Sequence, residues 1–193
     1  MPRLHAPPGA GQVRLYLGVA VQPNLRSESR PHEMSSLEWS DQLVIDHGAM
    51  DETHRDFVAR LAAVEKALDQ SHDAVGQAFD DLLEHTIEHF AQEEAWMARI
   101  GFAPDNCHSF QHRHVLDVLR EVKGVIGTTG DAQILRRLVT ELANWFPAHA
   151  QLMDQALAET MAAVGMDSRT GEMAHPPQAQ RQPITGCGSS SCG

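Results

Sequence analysis

Residues 82–112 read LLEHTIEHFAQEEAWMARIGFAPDNCHSFQH. Leu82, Leu83, Phe90 and Met97 recur at helical intervals, which predicts a helix with one buried stripe. Gly101 supplies a left-handed terminus and Pro104 blocks continuation, so this helix ends and another starts near Asp105. Each of the two helices carries a donor pair four residues apart: His89 with Glu93, and His108 with His112. Positions four apart share a face, with Cβ atoms about 6 Å from each other. Two neighbouring helices thus each aim an imidazole and a second donor into one interior.

Working outward, two further helices flank this pair. The first is expected from about Asp51 to Gln70, with Phe57, Leu61, Val64 and Leu68 on one face and His54 near its start. Ser71-His72-Asp73 is a break with a capping signal before a helix running from about Ala74 to Ile100. The helix from Asp105 to about Val125 carries Phe110, Val115, Leu116 and Leu119. Gly127 to Gly130 is a turn, and Asp131 caps a last helix through Ile134, Leu135, Leu138, Leu142, Trp145 and Met153 to about Val164. Pro147 lies inside that helix and is expected to kink it, either as a plain break or to help aim His149. Four helices with short connections imply an all-α, antiparallel up-down-up-down four-helix bundle. Residues 1–36 read as a flexible arm, 37–164 as the bundle, and 165–193 as a disordered Gly/Ser/Pro tail. Met34, just before the bundle, reads as an alternative translation start.

Over the four helices, His54, His89, Glu93, His108, His112, His149 and Asp154 supply five imidazoles and two carboxylates. That inventory suits two metal ions bridged by carboxylates. Two octahedral irons sharing an oxo or hydroxo bridge and two carboxylates keep six further positions, and five imidazoles leave one vacant for a small ligand. His149 and Asp154 are five apart, an angular step of about 140° on a straight helix, so a kink or bulge near Pro147 is expected to bring them together. A single such pair on a helix is commonplace. Seven in order over four helices are not.

These stretches carry a resemblance. Met50-Asp51-Glu52-Thr53-His54, His89-Phe90-Ala91-Gln92-Glu93-Glu94, Gly101-Phe102 through His108 to His112, and Trp145-Phe146 through His149 to Asp154 resemble the bacterial hemerythrin-like family over roughly residues 37–160. The resemblance implies a non-haem di-iron site (Fe2+/Fe3+) in the core. His108, His112 and His149 would hold one iron, His54 and His89 the other, with Glu93 and Asp154 bridging. It also implies reversible dioxygen binding as hydroperoxide at the two-histidine iron, for carriage, storage or delivery, with the proton drawn from the bridging hydroxide. Phe57, Val58 and Met97 are candidate pocket linings, with plain core packing as the alternative for each.

The alternatives are an oxygen or redox sensor, with an unknown redox partner, and a di-iron enzyme acting on peroxide or nitric oxide. The reading favours a binding protein over an enzyme. A ferritin-like oxidase fits less well, because it needs two Glu-x-x-His pairs and none of the donors forms one.

The net charge of −11 argues against nucleic acid or an anionic membrane as partner. No apolar run approaches the ~20 residues needed to span a bilayer, and the expected location is the cytoplasm. Three cysteines do not make a disulfide scaffold. Cys107 reads as a small filler, while Cys187 and Cys192 in the tail read as a reversible disulfide or soft-metal pair, or as incidental thiols. His85, one turn before His89, is expected to face the interior as a buried, satisfied histidine or as a group that alters reactivity at the vacant position. Asp51 is expected to cap the first helix.

Overall fold

The computed structural model describes residues 35–129, 131–177 and 182–186. The N-terminal arm to residue 34, with Met34, and the thiols Cys187 and Cys192 lie outside the described residues. The chain forms α1 (Gly48–Ala67), α2 (His72–Ile100), α3 (Cys107–Thr129), α4 (Ala132–His149) and α5 (Gln155–Val164), with a short 3-10 turn at Asp41–Leu43. A π turn, Ala150–Asp154, joins α4 to α5, so the last two helices form one interrupted arm. Among the described residues there is no strand, only isolated bridges. The helix order follows from packing: α1 lies on α2, α2 on α3, α3 on α4, and α4 back on α1. This is the antiparallel four-helix bundle expected. No helix among the described residues is long and apolar enough to cross a membrane.

The helix ends have local causes. Ser71 accepts from Ala74 N at 3.2 Å and Asp131 from Gln133 N at 2.9 Å, each satisfying an otherwise orphaned first-turn donor. Gly101 ends α2 at φ 97°, and Phe102 N bonds back to Met97 O at 3.0 Å. The start of α1 corrects an expectation. His47 caps it, accepting from Met50 N at 3.4 Å, while Asp51 Oδ1 accepts from Ile45 N at 2.9 Å. Asp51 therefore anchors the incoming chain rather than the helix, because it sits inside the first turn.

Two apolar clusters fill the interior. The larger includes Phe57, Leu61, Phe79, Leu82, Leu119, Leu138, Leu142 and Phe146. The smaller includes Ile45, Met50, Trp96, Met97, Ile100, Phe102, Leu157 and Met161. On each arm the predicted donors fall where one cluster ends. His54 follows Met50 and precedes Phe57, Glu93 lies between Phe90 and Trp96, and Asp154 lies between Ala150 and Leu157. A polar layer is thus closed between two apolar plugs.

Phe110 corrects the reading of the third helix: it is 64 % exposed. His108 and His112 take the inward face, and a residue two positions from each points about 200° away.

The stretch after Gly165 also departs from the expected disordered tail where it is described. Gly165 at φ 62° turns the chain back, and a Cβ there would meet Ala174 Cβ at 2.8 Å. Trp96 Nε1 donates to Ser168 O at 3.1 Å, and Arg99 Nη1 donates to Gly171 O at 3.1 Å. Ile184 bridges Phe102, exchanging bonds with Gly101 O at 3.0 Å and Ala103 N at 2.8 Å. Met166, Met173 and Ile184 extend the smaller plug. Composition alone missed this because a few apolar residues suffice when a plug is already there to receive them.

Candidate metal centre

All seven predicted donors are buried in the layer between the plugs. His54, Glu93, His108, His112 and Asp154 are fully buried, and His89 and His149 nearly so. α1 supplies His54, α2 supplies His89 and Glu93, α3 supplies His108 and His112, α4 ends in His149, and the π turn ends in Asp154. The π turn is what reconciles the five-residue step. Gln155 N bonds to Ala150 O, an i→i+5 bond, so positions five apart come onto one face. Pro147, which lacks a backbone donor, stands just before it.

The carboxylate oxygens divide between two sets of imidazoles. Glu93 Oε1 faces His89 Nε2 at 3.4 Å and His54 Nε2 at 3.9 Å. Glu93 Oε2 faces His112 Nε2 at 3.2 Å and His108 Nε2 at 3.4 Å. Asp154 Oδ2 faces His54 Nε2 at 3.2 Å. Asp154 Oδ1 faces His108 Nε2 at 3.0 Å and His149 Nε2 at 3.3 Å. Each carboxylate therefore offers one oxygen to a three-histidine set and the other to a two-histidine set. The donor atoms group the same way, Glu93, His108, His112, His149 and Asp154 in one cluster and His54, His89 and Glu93 in a second.

The residues fit a pair of cations better than they fit each other. Among the described residues, eleven buried side-chain N or O atoms lack a hydrogen-bond partner, and ten of them belong to His54, His89, Glu93, His108, His112 and Asp154. Leaving such an atom unsatisfied costs about 1–3 kcal/mol. An octahedral ion with bonds of about 2.1 Å has ligand–ligand edges near 3.0 Å, close to most of the separations above. Five imidazoles and two carboxylates are a borderline-to-hard donor set suited to iron.

Charge balance without metal follows from the same geometry. Burial opposes a charge on His54 and His108, but the facing carboxylates of Asp154 and Glu93 outweigh it and raise each to about 9. Burial pushes His149 down to about 4 and lowers His89. Burial and the facing Asp154 carboxylate would raise Glu93, yet His89, His108 and His112 hold it well below the usual carboxylate range. Burial likewise opposes the charge on Asp154, and His149, His108 and His54 overcome it. The two carboxylates are ionised, and two imidazolium protons stand in for cations.

Aromatic rings surround this layer. Phe90 stacks on His112 with centroids 3.8 Å apart. Phe146 meets His54 edge-on at 5.2 Å and stacks on Phe57 at 4.6 Å. Phe57 and Val58 belong to the larger plug and Met97 to the smaller.

His85 is buried, but its Nε2 is 3.1 Å from the carbonyl of Thr53 on α1. Its ring lies parallel to His89 at 6.0 Å, and burial lowers its pKa. Cys107 is half-buried, and burial raises its thiol.

Two partners of the donors escaped the sequence reading. Gln111 Oε1 lies 3.0 Å from His149 Nδ1, and Glu94 Oε1 approaches His112 Nδ1 at 3.6 Å. Each is adjacent in sequence to a donor, the one signal available. Nothing in the spacing tells that Gln111 on α3 reaches a ring on α4.

The Hemerythrin HHE cation binding domain matches residues 47–160. A bacteriohemerythrin of Ralstonia nicotianae is 38% identical over 136 residues, which are 70% of this chain and 96% of the relative. A bacteriohemerythrin of Stenotrophomonas maltophilia is 28% identical over 131 residues, 67% of this chain and 84% of the relative. No solved structure matches the chain.

Proposed function

Because the chain belongs to the hemerythrin family, a family of di-iron proteins, we propose that it binds dioxygen reversibly at two irons held by the buried cluster. In this reading His108, His112 and His149 hold one iron, His54 and His89 hold the other, and Glu93 and Asp154 bridge them. The observation that supports it most is the division of carboxylate oxygens, one from each acid toward three imidazoles and one toward two. The two-histidine side is one donor short, and the vacancy is where a diatomic ligand fits. When bound, the irons supply the electrons that dioxygen draws on binding and returns on leaving.

The protein's own residues do the rest. The imidazoles come from four separate arms of a packed bundle, so their spacing changes little when the charge at the centre changes. The plugs above and below exclude water, and water is what would turn reversible binding into oxidation. Phe146 and Phe57 guard the two-histidine side, since Phe146 stands perpendicular to the His54 ring at 5.2 Å and stacks on Phe57. His85 is turned to the Thr53 carbonyl and is occupied there. This favours binding over turnover, because no spare imidazole is left beside the vacancy from that position.

Iron analysis with absorption spectra under alternating argon and air tests the proposal. Two irons per chain and a visible charge-transfer band that forms and vanishes over repeated cycles are expected. Fewer than two irons, or sustained consumption of peroxide or nitric oxide with no reversible band, would overturn it.

A further inference from the structure

We propose that Trp145 and Gln111 act together as positioning residues that fix which ring nitrogen of His149 carries the proton. The inference rests on the ligand reading above and extends it to two residues that touch no iron.

The argument starts from what each group can do. An indole N–H only donates. Trp145 Nε1 lies 3.3 Å from Gln111 Oε1, so the amide must turn its oxygen, not its nitrogen, to this corner. The same oxygen lies 3.0 Å from His149 Nδ1. A carbonyl oxygen only accepts, so Nδ1 must hold the proton. The lone pair is then left on Nε2, which faces Asp154 Oδ1 at 3.3 Å and His112 Nε2 at 3.2 Å. The indole thus sets the amide, and the amide sets the imidazole.

The place where this occurs needs such a device. Trp145 and His149 are one turn apart on α4, their rings stacked at 4.4 Å, with Pro147 between them. Proline removes a backbone bond from this turn, and the π turn begins at the next residue after His149. The helix is therefore least able to hold the ring here, and the hold comes across from α3. The other two imidazoles of this set lack an equivalent. Among the described residues His108 Nδ1 has no hydrogen-bond partner, and His112 Nδ1 meets Glu94 only at 3.6 Å. A neutral amide, unlike a carboxylate, also accepts from His149 without placing a further charge beside it.

The test uses the full-length, iron-loaded chain and three variants. Gln111→Leu removes the acceptor, Gln111→Glu keeps an acceptor but adds charge, and Trp145→Phe keeps the stacked ring but frees the amide to rotate. Release of iron to a chelator and the reduction potential of the centre are measured. For Gln111→Leu, one of the two irons is expected to leave 10- to 100-fold faster, roughly the usual range for loss of an outer partner. Gln111→Glu is expected to retain both irons and shift the potential downward. Trp145→Phe is expected to fall between wild type and Gln111→Leu. Wild-type release from Gln111→Leu overturns the proposal. So does loss of iron from Gln111→Glu equal to that from Gln111→Leu, since a general packing defect would then explain both. Should Gln111→Leu not fold, an unchanged Trp145→Phe together with an unshifted potential in Gln111→Glu overturns it. If the unmodified chain itself holds fewer than two irons, the di-iron reading fails instead.

Discussion

Replacing Phe146 by alanine should separate the protein's two tasks, holding itself together and keeping its centre dry. Phe146 is 2 % exposed, stacked on Phe57 at 4.6 Å and edge-on to His54 at 5.2 Å. Truncating a buried phenylalanine costs about 3–5 kcal/mol, part lost transfer energy and part cavity. For a domain of this size each kcal/mol is worth about 2–4 °C, so the melting midpoint should fall by roughly 6–20 °C. The new cavity borders His54, a polar neighbour, and is large enough to admit water. Air oxidation of the reduced, iron-loaded protein should accelerate at least about tenfold if exclusion of water is what protects it. Phe79→Ala is the matched control. Phe79 is fully buried in the same apolar cluster, but it precedes Glu93 by 14 residues on α2, about 21 Å along the helix. It should cost similar stability and leave the oxidation rate near wild type. Denaturant unfolding and the decay of the reduced state are the assays. Equal acceleration by both variants would show that general loosening, not local wetting, controls oxidation. No acceleration by Phe146→Ala would show that its ring guards nothing.

Three other perturbations follow from the same geometry. Glu93→Gln and Asp154→Asn each remove a shared oxygen pair, so iron per chain should drop below two with affinity reduced more than the ~100-fold typical of an outer partner; unchanged iron content by elemental analysis would contradict the bridging role. Since His54 and His108 are raised to about 9, both hold protons at pH 7 and must surrender them to bind metal. Anaerobic titration of the metal-free chain with ferrous ion in weak buffer should release about two more protons per chain at pH 7 than well above pH 9, a difference that any proton released by bridging water does not change, whereas equal release at both would contradict the charge balance described above. His85→Phe breaks the contact with Thr53 O and should cost about 1 kcal/mol of stability while leaving iron content and oxidation rate unchanged; a change in oxidation rate would return His85 to the reactive role its position one turn from His89 first suggested.

Much of the fold could be read from the linear chain because helices announce themselves locally. Phe57, Leu61 and Val64 mark one buried stripe, Gly101 and Pro104 mark an end, and Asp131 marks a start. Three readings differ from the structure, each for a physical reason. Phe110 was read as core because it is apolar, although His108 and His112 had already claimed the inward face. Asp51 was read as a helix cap because of its type and place, whereas its carboxylate is taken by Ile45 N from the preceding loop. The segment after Gly165 reads as a disordered tail from its Gly/Ser/Pro composition, yet Met166, Met173 and Ile184 pack on a plug supplied by α1, α2, α5 and the segment before α1. For Phe110 the competitors were two residues away on the same helix; in the other two cases the partner lay outside the element itself.

The order and kind of the seven donors, and their distribution over four helices, are properties of the linear chain. They follow from a 3.6-residue period and from the chemistry of imidazole and carboxylate. Which oxygen of Glu93 faces which imidazole, and that Gln111 on α3 reaches both Trp145 and His149 on α4, were decided only by tertiary structure. Periodicity fixes the face a residue occupies on its own helix. It carries no information about how far one helix is rotated or shifted against the next, and the geometry of a shared site depends on that alone.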